Sequence, residues 1–336
     1  MRFAVVGAGA IGGYLGVKLA LAGEQVSVIA RGANLAAIRA GGMRLIAEDG
    51  TEQSVRDIGA FERMSDAGAQ DVILLTVKAH QVAAVAPDLK ALCHQDTAIV
   101  TMQNGIPWWY FHKHGGALEG RQLKSVDPDG IIGSHIDPSR IIGSVVYPAA
   151  ELVAPGVVRV IEGNRFTLGE LDGTSTPRVQ AIAASLIRSG LKAPVTSDIR
   201  SEIWLKLWGN LTFNPISALT HATLADICQF PLTRGLAAAM MTEAQAVGEK
   251  LGASFRVSLE KRIAGAEKVG AHKTSMLQDV EQGKAIEIEA LIGSVAELGR
   301  VTQTPTPHID AVYACVSLLA RTLAAQHGRL RVEPLG

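Results

Sequence analysis

The chain has 336 residues, of which 48% are apolar, so it is long and hydrophobic enough for two domains with full cores. Lys plus Arg number 32 and Asp plus Glu number 32. This balance argues against a nucleic acid or an anionic membrane surface as a partner. Three cysteines, far apart and odd in number, favour a reducing, cytoplasmic compartment and neither a disulfide framework nor a metal site. The sequence contains no run of about 18 apolar residues, so no membrane-spanning helix is expected.

A glycine motif lies near the N-terminus, between a predicted strand at 2–6 and a predicted helix at 11–22. It is formed by Gly7, Ala8, Gly9, Ala10, Ile11 and Gly12. In that context, the first glycine permits a tight turn, the second lets the backbone approach a pyrophosphate, and the third lets helix and strand pack closely. The unpaired N–H groups of the helix then face the phosphates. The pattern predicts a dinucleotide site, and the alternative is a glycine-rich turn without a ligand.

The second predicted strand, Gln25 to Ala30, ends in Arg31. An NAD enzyme usually has an acidic residue here to hold the ribose 2′-hydroxyl. A guanidinium is instead well suited to a 2′-phosphate, so the residue favours NADP. The alternative is that Arg31 merely lies in solvent at the end of a strand.

Two apolar runs, 71–76 and 98–101, read as buried parallel strands and are followed by Lys78 and Asn104. Ligands of open parallel sheets bind beyond the carboxyl ends of the strands, so both side chains are placed to touch a cofactor or a reacting carbon. For Asn104, which precedes a glycine, an ordinary turn is the other interpretation.

The remainder of the first predicted domain, residues 1–196, contains further short strands and a helix. The strands are expected at 43–46, 53–58, 141–147, 157–161 and 165–168, and the helix at 176–189. Residues 112–140 are interpreted either as an excursion over a substrate site or as a packed loop.

The second predicted domain, residues 197–336, has helical apolar spacing from residue 198 and ends in a tail at 327–336. Helices are expected at 232–251, 256–269, 286–298 and 308–326. The fold class is therefore α/β, with an N-terminal Rossmann-type parallel-sheet domain followed by an all-helical C-terminal domain. A small-molecule site is expected in the cleft between two such domains.

The first helical stretch of that domain, 199–219, carries Lys206, Asn210 and Asn214 at intervals of four, so they share one helix face. Burying an ammonium and two carboxamides is costly unless they bind something polar, and a buried lysine loses its proton more easily. The alternative is a surface helix whose polar residues face water. Pro215 is expected to kink the helix or make it re-form.

Together these segments resemble the ketopantoate reductase (2-dehydropantoate 2-reductase) family over nearly the whole length. The resemblance is carried by GAGAIGG at the N-terminus, TVKAHQV, QNG, IRSEIWLKLWGNLTFNPISAL and KTSMLQDVEQGKAIEIEALIG. It implies reduction of the 2-oxo group of ketopantoate with NADPH, in pantothenate biosynthesis.

The resemblance also implies roles for individual residues. Lys206 matches the catalytic general acid, and Glu287 an acid close to substrate and cofactor. The positions matching substrate-holding groups are Asn104, Asn210, Asn214 and Ser275. Those on the cofactor side are Lys78, Asn104 and Ala149.

The sequence departs from the family pattern at two places where an Asn is expected, which are occupied by Leu224 and Ile292. Losing polar groups should weaken binding of a hydroxylated substrate, so a related dehydrogenase for a different 2-oxo or 2-hydroxy acid is an alternative. A non-catalytic NADP sensor is a second alternative. A homodimer is a further possibility that the sequence leaves open.

Overall fold

The computed structural model describes residues 1–333. The chain folds into two compact units. Unit 1 consists of residues 1–104, 108–122 and 127–199, and unit 2 of residues 105–107, 123–126 and 200 to the C-terminus.

Unit 1 is built on a seven-stranded sheet in the order β11-β8-β7-β6-β1-β2-β5. Its strands are β1 (Arg2–Val6), β2 (Gln25–Ile29), β5 (Gly59–Phe61), β6 (Gln70–Leu75), β7 (Cys93–Thr101), β8 (Ile141–Val146) and β11 (Phe166–Gly169). Every pair in the sheet is parallel except the first, in which β11 runs antiparallel to β8. The chain leaves β1 towards β2 on one side and returns to β6 on the other. The strand order therefore reverses at β1, and ligands of such sheets bind at that point.

A second, four-stranded sheet has the order β4-β3-β10-β9. It comprises β3 (Met43–Ile46), β4 (Glu52–Val55), β9 (Ala149–Ala154) and β10 (Val157–Glu162). Helix α1 (Ala10–Leu21) packs on this sheet at a glycine, since a Cβ at Gly13 would lie 2.5 Å from the Val158 side chain. The other helices of the unit are α2 (Gly32–Gly41), α3 (Met64–Ala67), α4 (Val82–Val85), α5 (Ile131–His135) and α6 (Pro177–Arg188).

In the part of unit 2 that the structure describes, the regular secondary structure is helical. Its helices are α7 (Ile199–Thr220, whose first residue belongs to unit 1), α8 (Leu224–Gln229), α9 (Pro231–Lys250), α10 (Leu259–Val269), α11 (Ser275–Gln282), α12 (Ser294–Val301) and α13 (Pro307–Gln326), with a π-helix at Glu289–Gly293. The predicted α/β fold with a helical C-terminal part is therefore confirmed.

Several local expectations need correction. Residues 286–288 are not helical, and a π-helix precedes α12 where one continuous helix was expected. Helices α2 and α11 and strand β9 were not predicted. Helix α7 continues through Pro215, so it does not end and re-form there, although this residue has no N–H to donate.

The segment 112–140 is held by buried side chains. Tyr110 and Phe111 just before it are 0% exposed, and Asp127 is 3% exposed. The Asp127 carboxylate accepts hydrogen bonds from the backbone N–H groups of Ile132 (3.0 Å) and Gly133 (2.9 Å), at the start of α5. These contacts anchor the start of α5, whereas most of the segment is exposed or half-buried, so both interpretations of it stay predictions.

Helix α13 has the length and composition that could cross a membrane, with a mean hydropathy of 1.2 over its most apolar window. The sequence did not predict such a helix, because Asp310 and Arg321 interrupt its apolar run. Of that window, 17% is buried in the folded chain.

Candidate active site

The glycine turn after β1 is closed by its own backbone. Gly7 has φ of +105°, a conformation that side chains other than glycine rarely adopt. A Cβ at Gly12 would lie 2.1 Å from the Gly7 carbonyl oxygen and 2.6 Å from Thr76 Oγ1. Both positions therefore require glycine for the turn to form.

Two side chains that the sequence did not single out hold this turn. The Thr76 hydroxyl lies within hydrogen-bond distance of the Val6 (3.0 Å) and Gly7 (2.8 Å) carbonyl oxygens. The Asn34 amide donates to the Ala8 carbonyl at 2.6 Å, and its own carbonyl accepts from Gly156 N at 2.7 Å. A threonine after a strand and an asparagine in the next helix carry no local signal of this role, since their partners are far away in the sequence.

The second glycine of the motif faces open space. No atom lies within 4 Å of a Cβ built at Gly9, which is the N-cap of α1 and provides no side-chain cap. Neither an acidic residue nor a capping side chain covers the first turn of α1, so its N–H groups are available to an anion. The turn therefore fits the pyrophosphate of a dinucleotide.

Arg31 lies two residues beyond β2 as the N-cap of α2, and its side chain is exposed. Within residues 1–333 its guanidinium makes no hydrogen bond or ion pair. A positive charge in this position is free to bind a phosphate, whereas a ribose hydroxyl would meet no carboxylate at this residue.

Lys78 and Asn104 follow β6 and β7, as expected. Lys78 is half-buried before a short turn of 3₁₀ helix, and its backbone N–H donates to Gln81 Oε1 at 3.1 Å. The Gln103 amide donates to the carbonyl oxygens of Leu75 (2.7 Å) and Val77 (2.9 Å), so it ties the end of β7 to the end of β6. Ala149 lies in the other sheet, as the first residue of β9.

In unit 2, helix α7 is buried on most sides. Trp204 and Trp208 are 0% exposed, and the Trp208 indole donates to the Met241 carbonyl at 2.7 Å. Phe255 packs edge-on against Trp208, with ring centroids 4.8 Å apart. The alternative of a surface helix whose polar face meets only water is therefore not what the structure shows.

Lys206 is half-buried on this helix. Desolvation lowers the pKa of its ammonium to about 8, and the nearby Glu287 carboxylate partly opposes this by favouring the charged form. The structure thus brings together the two ionisable residues, and an amine with this pKa can exchange a proton near neutral pH.

The two asparagines of the same helix face are also partly or fully withdrawn from water. Asn214 is 6% exposed, and Asn210 is half-buried. Neither carboxamide makes a hydrogen bond to another residue within 1–333. Their amide groups are therefore available to a polar ligand. Ser275 is exposed in the first turn of α11.

The Glu287 segment leads into the π-helix, a distortion found frequently at functional sites. Tyr313 donates from its hydroxyl to the Glu289 carboxylate at 2.8 Å, and burial, together with this carboxylate, raises the pKa of the phenol to about 12.

The Ile106 N–H donates to the Ala290 carbonyl at 2.8 Å, and a Cβ at Gly105 would lie 2.1 Å from that oxygen. The glycine after Asn104 is therefore required for this close approach.

The two departures from the family pattern have different settings. Ile292 lies within the π-helix and is 0% exposed. Leu224 is half-buried at the start of α8. Ile292 thus belongs to the core of unit 2, and Leu224 is the more accessible of the two.

The chain is similar in sequence and fold to known proteins. A model of "Ketopantoate reductase PanE/ApbA" matches residues 3–173, and one of its C-terminal domain matches residues 198–320. A 2-dehydropantoate 2-reductase from Mesorhizobium japonicum is 54% identical over 98% of this chain and 99% of its own length. A Ralstonia solanacearum MolK2 crystal structure, provisionally named a ketopantoate reductase, is 42% identical with a TM-score of 0.91, over 96% of this chain and 98% of that one.

A more distant structure, D-mandelate dehydrogenase with NADH and anilino(oxo)acetate, has a TM-score of 0.80 at 22% identity and covers 96% of this chain and 100% of its own. At that identity it shows a shared fold only. The two family models together span most of the chain, and the Mesorhizobium relative matches nearly all of it. The chain therefore belongs to the ketopantoate reductase family of oxidoreductases.

Proposed function

We propose that this chain reduces the 2-oxo group of 2-dehydropantoate with NADPH to give pantoate, and that Lys206 delivers the proton. The observation that carries the proposal is an ammonium with a pKa of about 8 beside Glu287. The same helix face holds two withdrawn carboxamides without partners in residues 1–333. The name of the relative that is 54% identical supports the choice of substrate.

The residues proposed to hold the cofactor are those of the glycine turn and Arg31. The open space at Gly9 and the uncapped α1 terminus suit a pyrophosphate. Arg31 suits a 2′-phosphate and so favours NADP over NAD. Lys78, Asn104 and Ala149 are proposed to contact the same cofactor. When bound, the reduced nicotinamide supplies the hydride.

Lys206 is proposed to act on the carbonyl oxygen. A ketone that gains a hydride at carbon gains negative charge at oxygen, and a proton completes the alcohol. An ammonium stabilises that charge and donates the proton, which is general acid catalysis worth on the order of 10²–10⁴ in rate. Because its pKa is about 8, most of the lysine is protonated at neutral pH, yet the proton leaves readily.

Glu287 is proposed to set the protonation of this lysine and to contact substrate and cofactor. Its carboxylate opposes the loss of the proton that burial favours. Asn104, Asn210, Asn214 and Ser275 are proposed to hold the substrate, since amides and hydroxyls both donate to carboxylates and accept from hydroxyls.

A different 2-oxo acid is the rival substrate. Leu224, half-buried where the family pattern has an Asn, is the observation that favours it, because an apolar side chain offers nothing to a substrate hydroxyl. Ile292 is weaker support, since its side chain lies in the core. Membership of a reductase family argues against the alternative of a non-catalytic sensor.

Steady-state NADPH oxidation tests the proposal. Ketopantoate is compared with 2-oxo acids of similar size that lack the hydroxyl, each with NADPH and with NADH. The expected result is the highest kcat/KM for ketopantoate with NADPH. A Leu224→Asn variant serves as the matched control, since it should raise kcat/KM for ketopantoate alone. A higher kcat/KM of the parent protein for an unhydroxylated acid would assign the rival substrate, and no turnover on any 2-oxo acid would refute the reductase.

A further inference from the structure

A cavity of about 570 Å³ lies within unit 1, beside the C-terminal half of α1. It is lined by Tyr14 and Lys18 of α1, by the turn between β3 and β4, by β10 and the loop after it, and by Gly190 after α6. Lys18 lies eight residues beyond Ala10, the first residue of α1, which is about 12 Å along the helix. The cavity is therefore separate from the glycine turn, and its size is that of a small-molecule site, about 300–1,000 Å³.

The cavity wall contains a buried hydroxyl. Tyr14 is 4% exposed, and its ring lies near Phe166, with ring centroids 6.1 Å apart. In the part of the chain that the structure describes, the Tyr14 hydroxyl makes no hydrogen bond. Burial and the nearby Glu48 carboxylate raise the pKa of the phenol, so the hydroxyl stays protonated at neutral pH. This donor is available to a group inside the cavity.

Groups of both charges line the same cavity. Lys18 is half-buried and donates to Gln53 Oε1 at 3.0 Å, which leaves two of its three N–H bonds for another partner. Asp49 is engaged within its own turn, since it accepts from the backbone N–H (2.9 Å) and the hydroxyl (2.7 Å) of Thr51. Its neighbour Glu48 makes no hydrogen bond or ion pair within residues 1–333. The cavity thus offers one ammonium and one uncommitted carboxylate.

The rest of the lining is partly apolar and partly neutral. Val160 on β10 and Ala47 after β3 contribute aliphatic surface. Asn164 is half-buried in a loop that is held by its backbone, since the Asn164 carbonyl accepts from Lys192 N at 2.9 Å. The carboxamide of this residue forms no hydrogen bond to any other described residue, so it can both donate and accept in the cavity.

We propose that this cavity binds a small zwitterion with an aliphatic part, of the kind that an apolar amino acid represents. Lys18 and the Tyr14 hydroxyl, which are four residues apart on one face of α1, bind its carboxylate. Glu48 binds its ammonium, and the aliphatic part packs on Val160. A ligand with a single charge fits less well, because an anion meets Glu48 and a cation meets Lys18. This proposal is independent of the proposed reaction.

Isothermal titration calorimetry of the full chain with L-leucine tests the charge requirement. The comparison probes are 4-methylpentanoate, which lacks the ammonium, and 3-methylbutylamine, which lacks the carboxylate. L-Leucine is expected to bind at least about tenfold more tightly than either, since each analogue leaves one charge of the cavity without a partner. Its affinity should be the same with and without saturating NADPH, because the cavity is separate from the glycine turn.

Two variants assign the binding to this cavity. Tyr14→Phe keeps the ring and should weaken L-leucine by about three- to tenfold, the value of one hydrogen bond. Its melting temperature should stay the same, since the hydroxyl has no partner in residues 1–333. Glu48→Gln, at an exposed position, should weaken L-leucine by at least about tenfold. Glu62→Gln, equally exposed but outside the cavity, is the matched control and should change nothing.

Four results would each overturn the proposal. These are no binding of L-leucine at millimolar concentration, equal binding of a singly charged analogue, an affinity indifferent to both Tyr14→Phe and Glu48→Gln, and competition with NADPH. The last would move the binding to the cofactor site.

Discussion

The glycine turn of unit 1 and the Lys206 face of unit 2 depend on different physical properties. The turn depends on space, since a Cβ at Gly12 would lie 2.1 Å from the Gly7 carbonyl oxygen, and the polar groups that hold it are uncharged. The α7 face depends on charge, since burial and Glu287 together set the pKa of one ammonium. Substitutions in the turn should therefore change binding and folding, whereas substitutions around Lys206 should change rate and pH dependence.

The largest expected effect is that of Lys206→Ala. Loss of the general acid should lower kcat by on the order of 10²–10⁴. Affinity for NADPH, measured by fluorescence titration, should stay nearly unchanged because the turn is intact. Lys261→Ala on α10, an exposed lysine, should leave kcat unchanged. Normal turnover of Lys206→Ala would show that Lys206 is not the catalytic acid. A loss confined to NADPH affinity would show that the α7 face, like the glycine turn, acts in cofactor binding.

The next effect separates two glycines of the same turn. Gly12→Ala should lower the melting temperature, because its Cβ collides with the backbone oxygen of Gly7. Gly9→Ala should fold normally, since no atom lies within 4 Å of its Cβ, yet weaken NADPH by more than about tenfold, which is about 1.4 kcal/mol. Thermal unfolding and cofactor titration of both variants measure this. Unchanged NADPH affinity in Gly9→Ala would mean that the pyrophosphate binds elsewhere.

Arg31→Ala sharpens the comparison within unit 1, because it removes a charged contact proposed for the cofactor. Removing a charge-assisted bond to the 2′-phosphate should weaken NADPH by about 1.5–3 kcal/mol and NADH little. Dissociation constants for both cofactors provide the measurement, with Arg39→Ala, an exposed arginine on α2, as the control. Equal losses for the two cofactors would show that Arg31 does not contact the 2′-phosphate.

The smallest effect is a shift in the pH profile. The proposed acid must be protonated, so kcat for reduction should be flat below pH of about 8 and fall above it, as the pKa of Lys206 indicates. Glu287 holds that pKa up against desolvation, so Glu287→Gln should lower the pKa and move the falling limb to lower pH. Rates measured from pH 6 to 10 check the direction. A limb that stays in place or moves upward would show that Glu287 does not govern the lysine.

Local sequence patterns were sufficient to predict much of the fold and of the candidate site. The strand, glycine and helix succession predicted the turn, and the apolar runs before Lys78 and Asn104 predicted the strands that precede them. The spacing of four placed Lys206, Asn210 and Asn214 on one helix. The π-helix was missed because its sequence has ordinary helical spacing, and its form depends on contacts such as that between Ala290 and Ile106.

By itself, the sequence determined the periodicities, the glycines that permit a positive φ or a close approach, and the residue types available for chemistry. These are local properties of neighbouring residues. Only the tertiary structure decided that Thr76 and Asn34 support the glycine turn, that Glu287 reaches Lys206, and that one side of α13 is left uncovered. Each of these depends on groups far apart in the chain, and on the desolvation that packing alone produces.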